Sequence, residues 1–177
     1  MKQEKMNKMK VIRYLVYTAQ AFGCFFLQTV PGAMPEFFSE KPALLITAAL
    51  CAAVFEEERG SVLYGALCGA LADCAAVTSR GFYGIALSAA CYAVSSLYRE
   101  RLRRNLLTVF TVSGIAAAVI TGLHFLLFYI FAGYPEPLVS FTGHYLPELF
   151  YTLALIPLFY KIDFLAYGKT MKNRKYY

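Results

Sequence analysis

The chain has 177 residues, 59% of them hydrophobic and only 16% charged, with a mean hydropathy of +0.51. A soluble domain of this size cannot hide so much apolar surface in one core, so lipid must solvate part of it. The net charge of +6 resides in Lys and Arg that flank apolar runs and form no patch with exposed aromatics, which argues against nucleic acid and for anionic lipid headgroups.

Every backbone amide in lipid needs an internal partner, and the apolar runs are continuous and rich in Ala, Leu and Gly. The expected fold class is therefore an all-α membrane protein, a single domain of six transmembrane helices over residues 11–166. Residues 1–10 form a basic cytoplasmic arm carrying Lys2, Lys5, Lys8 and Lys10. The first span, 11–30, outruns a signal-peptide core of ~7–15 residues and lacks a small-residue cleavage site, so it reads as uncleaved. The second, 42–55, stops at Glu56-Glu57-Glu58-Arg59 and is short for a ~30 Å core, which implies tilt, a partly re-entrant path or extension through the glutamates. Spans 60–77 and 81–98 are joined by a tight turn at Ser79-Arg80-Gly81. The fifth, 106–132, would be ~40 Å long and must tilt or protrude. Pro135 and Pro137 deny helix to the following loop, 133–145, and the sixth span runs over 146–166. Residues 167–177 read as a basic cytoplasmic tail, flexible after Gly168.

Charge bias sets the orientation. With six spans both termini share a side, and that side carries fifteen of the seventeen Lys and Arg; Lys41 and Arg80 lie opposite. The positive-inside rule then puts both termini in the cytoplasm, and omitting the short second span would send Arg99, Arg101, Arg103 and Arg104 outside.

The third span carries Ser61, Gly65, Gly69 and Asp73 at four-residue spacing, and the fourth carries Gly84, Ser88, Cys91 and Ser95. Such small-residue ridges let helix backbones approach closely, either within the protein or against a membrane partner. Asp73 reads as the one acidic residue well inside a span. An intramembrane carboxylate suggests ion coupling or partner recognition; the structural alternative is a hydrogen bond or an ion pair with Arg80. His124, without a ligating neighbour, reads as a histidine hydrogen-bonded between helices. The five cysteines, 24, 51, 68, 74 and 91, form no CxxC pair and read as reduced packing residues. Gly168-Lys169-Thr170 imitates the end of a phosphate-binding loop, but Asp163 stands where the first glycine is required and no strand precedes it. No pattern here builds an active site, and no cofactor or metal is expected.

From Lys41 the run KPALLITAALCAAVFEEERGSVLYGALCGALADCAAVTSRGFYGIAL resembles the rod shape-determining protein MreD family, in which a Leu- and Ala-rich span precedes a G-x-x-x-G-x-x-x-D helix, a turn and another glycine. The matching positions are Gly65, Gly69, Asp73 and Gly81. The segment GYPEPLVSFTGHYLPELFYTLALIPLFY is similar to the end of the family, with Tyr145-Leu146-Pro147 opening and Pro157-Leu158 within the last helix. The resemblance implies a non-enzymatic part of the cell-elongation and peptidoglycan-synthesis machinery in the bacterial plasma membrane. Its implied partners are an MreC-like single-span protein and, through it, RodA with its transpeptidase and the filament MreB. The family shares its fold with the S-components of energy-coupling-factor vitamin transporters, so an S-component-like bundle is expected and a vitamin-binding S-component is the alternative function. That alternative requires a ligand pocket near loops 31–41 and 133–145. The three acids at 56–58 depart from the family pattern.

Overall fold

A computed structural model describes residues 2–30, 43–76, 81–100, 102, 105–133, 139 and 141–172. Among these the fold is wholly helical, with six α-helices: α1 Lys2–Thr29, α2 Leu44–Ala53, α3 Glu58–Ala75, α4 Phe82–Glu100, α5 Leu106–Phe125 and α6 Leu146–Lys172. A π-helical turn, Leu126–Ile130, prolongs α5, and a second, Phe141–Tyr145, leads into α6. Each expected span coincides with one helix. Among the described residues, α5 with its π extension is the helix long and apolar enough to cross a membrane by length and composition alone.

Three boundaries differ from the sequence reading. Helix α1 runs from Lys2, so residues 2–10 of the basic arm are continuous with the first span's helix. The tail is helical through Lys172; one glycine at 168 weakens a helix by only ~1 kcal/mol and does not stop it. The second half of the 133–145 loop is helical from Phe141, whereas Pro135 and Pro137 lie outside the described residues.

The short α2 is the centre of the molecule. All ten of its residues are buried, and it packs against each of the other five helices. Its length of ~15 Å is half of a ~30 Å hydrocarbon core, so its free backbone ends need partners from the protein. Neighbouring side chains supply them. The Thr152 hydroxyl of α6 accepts from the Ala43 N–H at 3.1 Å, and Ser61 of α3 donates to the Ala53 carbonyl at 3.3 Å. Ser95 of α4 donates to the Glu56 carbonyl at 2.8 Å, just past the end of α2.

The other five helices turn apolar side chains outward: Leu15 and Phe26 on α1, Leu63 on α3, Ile85 on α4, Ile115 on α5 and Phe150 on α6 are all more than half exposed. Charged and hydroxyl groups meanwhile lie buried inside, Glu56, Ser113 and Asp163 among them. Apolar surface on every peripheral helix suits a lipid solvent and no aqueous one.

Candidate functional site

The four positions singled out by the sequence gather along one seam. Helices α3 and α4 form the closest pair in the fold. A Cβ at Gly65 would stand 2.8 Å from the Leu87 carbonyl oxygen and 3.0 Å from Cys91 Sγ, and one at Gly69 would overlap the Tyr83 carbonyl and lie 2.6 Å from Gly84 Cα. Only hydrogen fits there. At Gly65 and Gly69 the ridge is thus occupied by α4 of the same chain, the first of the two alternatives, packing within the protein.

Asp73 ends this ridge one turn beyond Gly69. Its carboxylate accepts hydrogen bonds from the backbone N–H groups of Tyr83 at 3.1 Å and Gly84 at 2.9 Å. These belong to the first turn of α4, where N–H groups have no intrahelical acceptor and the helix dipole favours negative charge. Asp73 is a capping residue delivered from the neighbouring helix. This is the hydrogen-bonded reading of Asp73; the suggested ion-pair partner, Arg80, lies outside the described residues. Gly81 has φ +81°, a left-handed conformation that side-chain-bearing residues rarely adopt, and it starts the chain into α4.

Next to this corner lies an aromatic group around His124. Its ring stacks on Tyr83 (5.2 Å between centroids) and Phe128 (4.8 Å), with Phe82 edge-on at 5.5 Å. Tyr145 brings its hydroxyl to 3.4 Å from Nδ1 and so links α5 to the turn before α6. His124 is a packed, hydrogen-bonded interhelical residue, as its isolation in the sequence predicts. A cavity of about 350 Å³ opens at the same end of the bundle, lined by Gln28, Thr29, Ile46, Ala72, Tyr83 and Glu148 among others.

Two polar features escaped the sequence reading. Glu56, the first of the three acids, is buried and paired with Arg13 of α1, Nη2 to Oε2 at 2.9 Å. Glu58 meets Arg99 of α4 at 3.2 Å in an exposed pair. The acidic cluster therefore clips α1 and α4 to the α2–α3 corner. The second feature is Asp163, wholly buried in α6, which overturns the reading of Asp73 as the one acid well inside a span. A carboxylate within the apolar run 146–166 was the available signal. Cys24, Cys51, Cys68 and Cys91 are buried free thiols, as expected of packing residues, while Cys74 is exposed. Among the described residues no group of three His, Cys, Asp or Glu is placed to hold a metal ion.

The family model of the rod shape-determining protein MreD matches residues 9–169, which takes in α2 to α5 and most of α1 and α6. The chain belongs to the MreD family. It is accordingly a member of a membrane protein family concerned with rod-shape determination, and the outward apolar faces of its helices agree with that setting. Neither a curated protein nor a solved structure matches the chain significantly.

Proposed function

We propose that this MreD-family protein is a non-catalytic scaffold of the cell-elongation machinery, set in the plasma membrane by six spans with both termini cytoplasmic. It binds an MreC-like single-span protein and acts through it with RodA, the partner transpeptidase and MreB. The observation that carries this reading is the family match over residues 9–169. The skew of fifteen basic residues to one side supports the orientation. With Gly65 and Gly69 covered by α4, the partner contact falls to the outward helix faces.

The test is affinity purification of the full chain from native membranes in mild detergent, with mass spectrometry of what accompanies it. Recovery of an MreC-like protein together with RodA or its transpeptidase supports the scaffold. Recovery of paired ATPases with a second transmembrane subunit overturns it and makes the chain an S-component. One observation favours that second reading: a cavity lies between the ends of α1, α2, α3, α4 and α6, with the polar residues Gln28, Thr29 and Glu148 in its lining.

A further inference from the structure

Among the described residues Asp163 is a buried acid that lacks compensation at both carboxylate oxygens. Its side chain is fully buried on α6, and neither carboxylate oxygen has a hydrogen-bond partner. The Gln20 amide of α1 borders the carboxylate, but neither its nitrogen nor its oxygen, both buried, completes a well-formed hydrogen bond. The Tyr17 hydroxyl is also buried and unpartnered, and its ring lies 5.4 Å from that of Tyr64 on α3, whose buried hydroxyl has the Cys68 thiol of its own helix beside it. Both tyrosines are within electrostatic reach of Asp163, as are Cys24 of α1, Cys51 of α2 and Cys68 of α3.

Among the described residues no fixed cation pairs with this carboxylate. Arg13, one turn before Tyr17, is held by Glu56. The further groups acting on Tyr17 are Glu56 itself and Tyr167, one turn beyond Asp163. Helix α5, which also packs on α6, has His124 as its sole titratable residue, committed to the aromatic group around Tyr83 and Phe128. A bare carboxylate in a lipid-embedded core is costly, and the cost disappears when a positive charge joins it. The oxygens gathered here are hard ligands, suited to a proton or an alkali ion and not to a soft metal.

We propose that Asp163, with Gln20, Tyr17 and Tyr64, forms a buried binding site for one small positive charge, a proton or an alkali cation. Occupancy fastens α6 to α1; an empty site leaves a buried charge that loosens this contact.

The full chain in lipid nanodiscs is treated with a hydrophobic carbodiimide, which reacts with protonated carboxyls in apolar surroundings, and the labelled fraction of the Asp163 peptide is read by mass spectrometry. Labelling that falls as the buffer is made alkaline, regardless of sodium, identifies a proton as occupant. Labelling that falls at fixed pH when sodium chloride replaces choline chloride identifies an alkali ion. In parallel, wild type should melt earlier in alkaline, sodium-free buffer, and Asp163→Asn should lose that dependence. Labelling indifferent to both series, or an Asp163→Asn protein that keeps the wild-type response, overturns the proposal.

Discussion

Substituting Gly69 by alanine tests the α3–α4 seam with the smallest possible perturbation. The added methyl meets backbone, the Tyr83 carbonyl and Gly84 Cα, so no rotamer change relieves it. Overpacking of this kind costs about 1–3 kcal/mol. Alanine in place of glycine within a helix returns roughly 0.5–1 kcal/mol. The net expectation is a loss of about 1–2 kcal/mol, and movement of α4 away from α3 would also stretch the two bonds from Tyr83 and Gly84 to Asp73. At Gly65 the first obstacle is again a carbonyl, but the next is the Cys91 side chain, so Gly65→Ala should cost less. Gly122 of α5 has nothing within 4 Å of its missing Cβ. Gly122→Ala should therefore stabilise by about 0.5–1 kcal/mol.

The chain has no tryptophan, but its four buried thiols make a thiol-reactive fluorophore a direct reporter of unfolding once the exposed Cys74 is replaced by serine. For a chain of this size each kcal/mol moves the melting temperature by about 2–4 °C. The expected order, from least to most stable, is Gly69→Ala, Gly65→Ala, wild type, Gly122→Ala. A Gly69→Ala protein as stable as Gly122→Ala would refute the close approach of the two helices.

Asp73→Ala should lose about 0.5–2 kcal/mol with the cap, while Asp73→Asn, which keeps one acceptor, should lose less and still support rod shape in a complementation assay. A normal melting temperature with failed complementation would instead give the charge a role of its own. Glu56→Ala leaves Arg13 without its partner in a nearly dry corner and should cost about 3 kcal/mol by the same melting assay. Glu58→Ala removes an exposed pair and should cost under ~1 kcal/mol. For topology, a cysteine placed at Arg80 should react with a membrane-impermeant maleimide on intact cells, and one at Arg103 only after permeabilisation; the reverse pattern would invert the proposed orientation.

The sequence made the helices legible because length, continuity and bounding charges are local properties. It also located the seam, since Gly65, Gly69, Asp73 and Gly81 interact with a helix that follows within a few residues. The status of α2 was hidden for a physical reason. Lipid tails and leucine side chains are equally apolar, so LLITAALCAA reads the same whether it faces lipid or protein. Only its shortness hinted at protein on all sides. Arg13 and Glu56 are 43 positions apart, and Gln20 and Asp163 meet only after the whole bundle has closed. No periodicity encodes such pairs.

Those distant polar contacts bear on how the chain selects one helix arrangement. Between lipid-solvated helices apolar contact has little directional preference, so close packing and polar bonds must fix the neighbours. The α3–α4 hairpin is fixed by its glycines and by Asp73. The bonds from Thr152, Ser61 and Ser95 to the backbone at either end of α2 fix α6, α3 and α4 around it. Helix α1 is tied by Arg13 to Glu56, and its Gln20 and Tyr17 border the Asp163 region. A buried ion pair adds little stability over an apolar substitute, yet its loss on one side is severe, which makes it a device for register. It follows that replacing Arg13 and Glu56 together by methionine and leucine should recover most of the stability lost in Glu56→Ala. What it should not recover is the position of α1, readable as altered disulfide trapping between cysteines introduced at Thr18 and Leu63. Full recovery of both would show that apolar packing alone places α1.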